Sequence, residues 1–187
     1  MLIGVFSDVH DNIENLKKVL SLYADRQVET LAFCGDFCSP IPSRVMGESG
    51  LTIHCVFGNG DGDRFTMHRL ATSQFPNLKL HGEHAELEIG GQMIALTHYP
   101  LYGDALARTG DYAAVFSGHT HELRQEQRED CVWLNPGEVL GGMGRASCAI
   151  YDTDTSDVEI VYLESLNHRA ARLAQMSSSS LRAKMCL

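Results

Sequence analysis

The stretch Ala113-Ala114-Val115-Phe116-Ser117-Gly118-His119-Thr120-His121 is an apolar run that halts at a glycine and then presents two imidazoles one residue apart. In an extended segment residues i and i+2 point to the same side, so both rings reach one small site. Four other stretches also end an apolar run in donor atoms: Phe6-Ser7-Asp8-Val9-His10, Phe33-Cys34-Gly35-Asp36, Phe57-Gly58-Asn59-Gly60-Asp61 and Leu96-Thr97-His98. Open α/β sheets bind ligands in the crevice beyond the carboxyl ends of their strands, where all five sets can converge. Imidazole, carboxylate and amide oxygen together suit manganese, iron, nickel or zinc, whereas a site of carboxylates and water alone suits magnesium.

The chain around these stretches reads as alternating strands and helices. Leu2 to Phe6 is a short continuous apolar run, the mark of a strand buried on both faces. Ile13, Leu16, Val19, Leu20 and Tyr23 then recur at helical spacing, with Asp11 or Asn12 as cap, and predict a helix over 13–24. Strands are expected over 30–34 and 52–57, a weak helix over 43–48 after Pro40 and Pro42, and a helix over 64–73. Glu86 to Ile89 and Met93 to Leu96 flank Gly90-Gly91, a hairpin signal. A short helix over 103–108 precedes the strand over 112–116. The rest reads as strands over 122–127, 131–134, 146–151 and 158–163, the last two joined by the turn Thr153-Asp154-Thr155-Ser156. This order, βαβαβα and then mostly β, predicts an α/β sandwich of two sheets packed face to face with helices outside. A plain dinucleotide-binding fold fits less well, because the first turn lacks a glycine-rich phosphate fingerprint.

At 187 residues one domain is expected over 1–165, followed by a polar tail or exposed helix over 166–187 carrying Leu166, Leu173 and Leu181. The net charge of -9 argues against a generic nucleic-acid or anionic-membrane binder. No apolar run approaches the ~18 residues of a membrane span, and the opening residues lack a signal-peptide pattern. Six scattered cysteines in a chain of this size point to reduced thiols and the cytoplasm rather than a disulfide framework. Cys34 and Cys38 read as small side chains flanking a loop, since no second cysteine pair completes a tetrahedral site.

The set D-x-H, G-D, G-N-x-D, a lone His and G-H-T-H resembles the calcineurin-like metallophosphoesterases, most closely the small single-domain phosphodiesterases of the YfcE type. The match spans about residues 1–150 and takes in Leu134-Asn135-Pro136-Gly137, similar to an L-N-P-G stretch of that branch. The resemblance implies a four-layer α-β-β-α sandwich and two divalent metal ions, with manganese the first expectation and iron, nickel or zinc next. It implies that Asp36 bridges the ions, that Asp8, His10 and His121 hold one, and that Asn59, His98 and His119 hold the other. A shared carboxylate lets two cations sit ~3.5 to 4 Å apart, where a water becomes hydroxide near neutral pH and attacks phosphorus. The implied substrate is a small phosphodiester or nucleotide-like ester. A nucleotide pyrophosphatase or phosphomonoesterase on the same site, or a non-catalytic scaffold of the same fold, are the alternatives.

One departure bears on substrate choice. Many relatives carry histidine in the third motif, able to protonate the leaving oxygen, where this chain has Gly60. General acid catalysis contributes ~10² to 10⁴-fold, so phosphodiesters or activated esters are expected over alkyl monoesters. Tyr99 or a metal-bound water is the expected substitute for that donor. Asp61 is expected to orient the site rather than ligate, and Asp11 and Asn12 to cap or touch substrate. Arg64 and Arg145 read as surface arginines, and His54, His68, His81, His84 and His168 as structural or exposed. Met143 among Gly141, Gly142 and Gly144 marks a flexible loop or a lid. Exposed apolar residues in the later strands offer a homodimer surface.

Overall fold

Four parallel strands open the chain: β1 (Leu2–Phe6), β2 (Thr30–Phe33), β3 (Ile53–Cys55) and β4 (Leu78–Leu80) lie side by side in that order. They alternate with α1 (Ile13–Asp25), α2 (Pro40–Glu48) and α3 (Arg64–Ser73). The computed structural model describes residues 1–166, so the expectation for the tail over 166–187 lies outside the described residues apart from Leu166. The second sheet starts with the hairpin β5 (His84–Ile89) and β6 (Gln92–Thr97), then α4 (Pro100–Ala107) and β7 (Ala114–Phe116). It is completed by β8 (Leu123–Arg128) and β9 (Cys131–Pro136), in the order β5-β6-β7-β9-β8. The chain then returns to the first sheet with β10 (Ser147–Asp152) antiparallel to β1 and β11 (Val158–Tyr162) at the edge.

Period-two alternation sorts the side chains into three apolar layers. Phe6, Leu31, Phe33, Ile53 and Cys148 pack under Leu16, Val19, Leu20, Met46 and Met67 of the first three helices. Ile3, Val5, Ala32, Cys34 and Tyr151 face Leu96, Phe116 and Leu134 of the second sheet. Ala95, Val115 and Trp133 turn the other way, towards Ala107 of α4. The result is helix, sheet, sheet, helix, the four-layer sandwich expected. Gly4 is required for this packing, because a Cβ there would lie 2.8 Å from the Tyr23 ring. The buried Tyr23 hydroxyl in turn donates to the carbonyls of Val5 and Ala149, at 2.9 and 3.1 Å, and pins α1 to the sheet.

Some boundaries differ from expectation for identifiable reasons. Helices α2 and α4 begin at Pro40 and Pro100, earlier than expected, because proline at the first helical position has no amide to lose and a preset φ. Strand β4 was not anticipated; three residues after Pro76 are too few to show a period, and it exists by pairing with β3. The Gly90-Gly91 turn is as expected: Ile89 pairs with Gln92, and both glycines hold positive φ, the requirement of a two-residue hairpin loop.

Candidate metal centre

Strands β1, β2 and β3 run parallel in one sheet and β6, β7 and β9 in the other, and the loops leaving their carboxyl ends meet at one edge of the sandwich. Backbone bonds lock these loops together. The amides of Asp8, Val9 and His10 donate to carbonyls of Gly35 and Asp36, Gly118 donates to His98, and Leu140 to Asp8. The turns are tight enough that Asp8, His10, Asp36, His119 and His121 all hold φ between 43° and 74°. Such backbone costs of order 1 kcal/mol or more per residue, and Asp and His tolerate it better than branched side chains. Strain therefore gathers on five of the seven residues expected to act.

All seven side chains converge. Asp8 Oδ1 lies 3.8 Å from His10 Nε2 and 3.5 Å from His121 Nε2. Asp36 Oδ2 lies 3.3 Å from His10 Nε2, and its Oδ1 lies 3.6 Å from His98 Nε2. Asn59 Oδ1 is 3.1 Å from His98 Nε2 and 2.7 Å from His119 Nδ1. Asp8, Asp36 and His98 form a buried floor, while Asn59 and His119 stand at the exposed rim. Asp8 Oδ1 and His10 Nε2 are buried without a hydrogen-bond partner, although buried polar atoms are normally satisfied. Their grouping fits a divalent cation: the sets Asp8, His10, His121 and Asp8, Asp36, His98 each bring donor atoms within 4.8 Å of one another.

A supporting layer fixes which atoms face inward. His98 Nδ1 lies 2.7 Å from the Cys34 carbonyl, which only accepts, so Nδ1 carries the proton and Nε2 offers its lone pair to the centre. His121 Nδ1 lies 2.6 Å from the Glu138 carboxylate with the same consequence. Asp61 is not in the centre, as expected: it accepts the amides of Gly58, Cys38 and Asp36 at 2.7, 3.0 and 3.2 Å and so shapes two loops at once. Burial, helped by the charge of Asp36, raises the Asp61 carboxyl above its ordinary range, and the amides of Gly58 and Cys38 offset it only in part. Burial also pushes Asp8 upward, but the neighbouring His10 and Ser7 side chains, with His98 and His121 close by, outweigh it and hold Asp8 low. The effect on His10 is reciprocal, since the nearby Asp8 carboxylate raises it against burial.

A family model described as the calcineurin-like phosphoesterase superfamily domain matches residues 1–156. The chain belongs to that superfamily. Among its relatives is phosphodiesterase MJ0936 of Methanocaldococcus jannaschii, 29% identical over 88% of this chain and the whole of that protein. Phosphodiesterase YfcE of Escherichia coli K12 is 26% identical over 81% of this chain and 88% of its own length. A solved structure described as a novel archaeal phosphodiesterase superposes with a TM-score of 0.81 at 28% identity, covering 87% of this chain and 99% of its own.

The remaining residues of this phosphoesterase-superfamily chain fall into place around the centre. Asn12 caps α1 by accepting the Asn15 amide, and Asp11 binds the Ser39 hydroxyl at 2.6 Å, so neither stands free in the mouth. Arg64 donates to the Gly58 carbonyl at 2.8 Å and lies over the Phe57 ring, while Arg145 stacks on Tyr162. His54 and His81, read as structural or exposed, are partners of each other, at 2.9 Å between ring nitrogens. One residue read only as a small side chain beside a loop, and one not singled out at all, stand directly behind the ligand set. Cys38 places Sγ 3.0 Å from His10 Nδ1, and burial first, then the nearby aspartates, push its thiol up to about 11. Glu138 obeys the same rule as the ligands, an apolar strand followed by a carboxylate, and would have been found by applying it to β9. No helix of the described residues is long and apolar enough to cross a membrane.

Proposed function

We propose that the protein hydrolyses small phosphodiesters with two divalent ions held by Asp8, His10, Asp36, Asn59, His98, His119 and His121. The observation that carries this reading is the division of Asp36, whose two carboxylate oxygens face different histidines, Oδ2 towards His10 and Oδ1 towards His98. A carboxylate between two donor clusters is the arrangement a pair of cations needs. When bound, such ions supply a hydroxide nucleophile near neutral pH and offset the charge that grows on the phosphoryl oxygens. Manganese is the first candidate, and the mixed nitrogen and oxygen donors also accept iron, nickel or zinc.

The chain's own residues set the rest. Asp8, Asp36 and His98 are withdrawn from solvent, so their negative charge and imidazole lone pairs act in a low-dielectric floor. Asn59 and His119, at the rim, are placed to meet an entering phosphoryl group. Gly60 contributes only its amide, which donates to Asp36 Oδ1 at 2.7 Å and offers no proton to a leaving group. Tyr99 stands beside the centre, its ring 5.5 Å from that of His119. Diesters with a stabilised leaving oxygen therefore suit the site better than alkyl monoesters. The relatives in Methanocaldococcus jannaschii and Escherichia coli, both named phosphodiesterases, support the same choice. The cytoplasm is the location proposed, from the reduced state of the five described cysteines.

The test is metal depletion followed by a substrate panel. Bis-p-nitrophenyl phosphate is expected to turn over only after Mn²⁺ is restored, p-nitrophenyl phosphate more slowly, and dinucleoside polyphosphates report the pyrophosphatase alternative. Asp36→Asn and His119→Ala are expected to abolish turnover with native circular dichroism. Unchanged turnover in either variant sinks the reading, and hydrolysis of the monoester alone would remove the argument from Gly60.

A further inference from the structure

Glu138 is wholly buried at the end of β9, and its carboxylate is shared between two structures. Oε2 lies 2.6 Å from His121 Nδ1. Oε1 accepts the backbone amides of Met143 and Gly144, at 2.7 and 2.6 Å. The residue itself is stitched down. Ser147 donates to its carbonyl, and the following amides of Val139 and Leu140 donate to the carbonyls of Ser7 and Asp8. Its backbone is thus held fast, and its carboxylate carries a centre-facing histidine on one side and a loop on the other.

That loop, Gly141-Gly142-Met143-Gly144, has three glycines, so its backbone gains much entropy whenever it is released. Met143 is 78% exposed, so apolar packing does little to hold the loop in place. The loop also walls a cavity of about 410 Å³ whose lining includes Thr120, His121, Leu123, Met143, Arg145 and Tyr162. The cavity and the metal centre therefore share His121, and the group that orients His121 also holds the cavity wall.

We propose that Glu138 is a positioning residue that couples the two: it turns His121 Nε2 towards the centre and, through the same carboxylate, fixes the loop over 141–144. This rests on the reading of the centre as a divalent-metal site. The coupling is reciprocal, because whatever holds His121 in place also fixes the carboxylate that binds the loop amides. A carboxylate can serve both sides because all its partners are donors. Glutamine cannot: its one carbonyl oxygen satisfies either His121 or the loop, and its NH₂ then confronts donors on the other side. If the NH₂ faces His121, the ring must accept at Nδ1 and carry its proton on Nε2, where it can no longer ligate.

The experiment is Mn²⁺ titration calorimetry with amide exchange on the full chain, neither of which needs a substrate. In the wild type, Mn²⁺ is expected to slow exchange at Met143 and Gly144. Glu138→Gln is expected to weaken Mn²⁺ binding about 10- to 100-fold, as loss of a partner behind a ligating histidine does, and to speed exchange at those two amides. His121→Ala keeps the Glu138 bonds to the loop but should abolish the response of the loop to Mn²⁺, so it decides the matter even if Glu138→Gln fails to fold. Wild-type protein that binds Mn²⁺ with no change at Met143 and Gly144, or a folded Glu138→Gln with wild-type affinity, overturns the coupling alone. Wild-type protein that takes up no Mn²⁺ overturns the metal-centre reading and the coupling with it.

Discussion

Asp36 has almost no room to move. Its Oδ1 is held by the Gly60 amide, its backbone amide by Asp61, and Gly58 packs against its carboxylate on the third side. A Cβ at Gly58 would meet Asp36 Oδ1 and lie 2.8 Å from His98 Nδ1 and Cε1. Gly58 does not hold a positive φ, so alanine suits the backbone there and its methyl acts only on the two ligands. Gly58→Ala is therefore expected to lower kcat about 10²-fold, the usual cost of a displacement near 1 Å at a reacting centre, with circular dichroism unchanged. Activity within a few fold of wild type would mean that Asp36 and His98 tolerate displacement. The seven donors were legible in the sequence because each follows an apolar strand at once, so the topology delivers them to one edge. Glu138 follows the same rule but sat behind Leu134-Asn135-Pro136-Gly137, a stretch read as a motif complete in itself. Cys38 was legible only as a small residue beside a loop, since its contact with His10 depends on a loop in which both residues hold positive φ.

Strands with a long apolar or alternating pattern were readable; those made by pairing were not. Strand β4 is the example, and the histidine pair depends on it: His54 lies on β3 opposite Lys79 of β4, and His81 follows β4 directly. Burial, then the charges of His81 and Lys79, lower His54 to about 4, against an ordinary value near 6.5. The sign follows from linkage. Above pH 6.5 neither the folded nor the unfolded chain protonates this ring. As pH falls from 6.5 towards 4 the unfolded chain takes up the proton and the folded chain does not, so stability is lost over that window and levels off below it. His54 is half-buried, and solvent screening leaves the loss on the order of 1 kcal/mol. Urea midpoints at pH 7 and pH 4.5 should therefore differ less in His54→Gln than in wild type. Equal differences would show that the pair does not titrate with folding. Acid destabilisation would then come from other groups.

The two sheets are held to each other by the apolar layer around Val5, Leu96 and Phe116, and at one edge by polar loops that carry buried, unpartnered donor atoms. On the reading proposed above, ions at that edge take ligands from the loops after β1, β2 and β3 of one sheet and after β6 and β7 of the other. Unfolding separates all of these, so metal should bind the folded chain far better than the unfolded one. Ligand at 100 times its Kd then adds ~2.7 kcal/mol per site, so two occupied sites raise Tm by about 10 to 20 °C for a chain of this size. Metal-depleted protein is expected to melt lower by that amount, Mn²⁺ to restore it, and Asp36→Asn to melt at one temperature with or without Mn²⁺. The same variant has a second consequence. Replacing one buried carboxylate by an amide relieves repulsion between Asp8 and Asp36, whose donor atoms share one cluster. Metal-free Asp36→Asn should therefore melt no lower than metal-free wild type, whereas the metal-loaded wild type melts above both. A variant that instead melts well below the metal-free wild type would mean that Asp36 stabilises the fold through its hydrogen bonds to the loops, and that the edge is held together without ions.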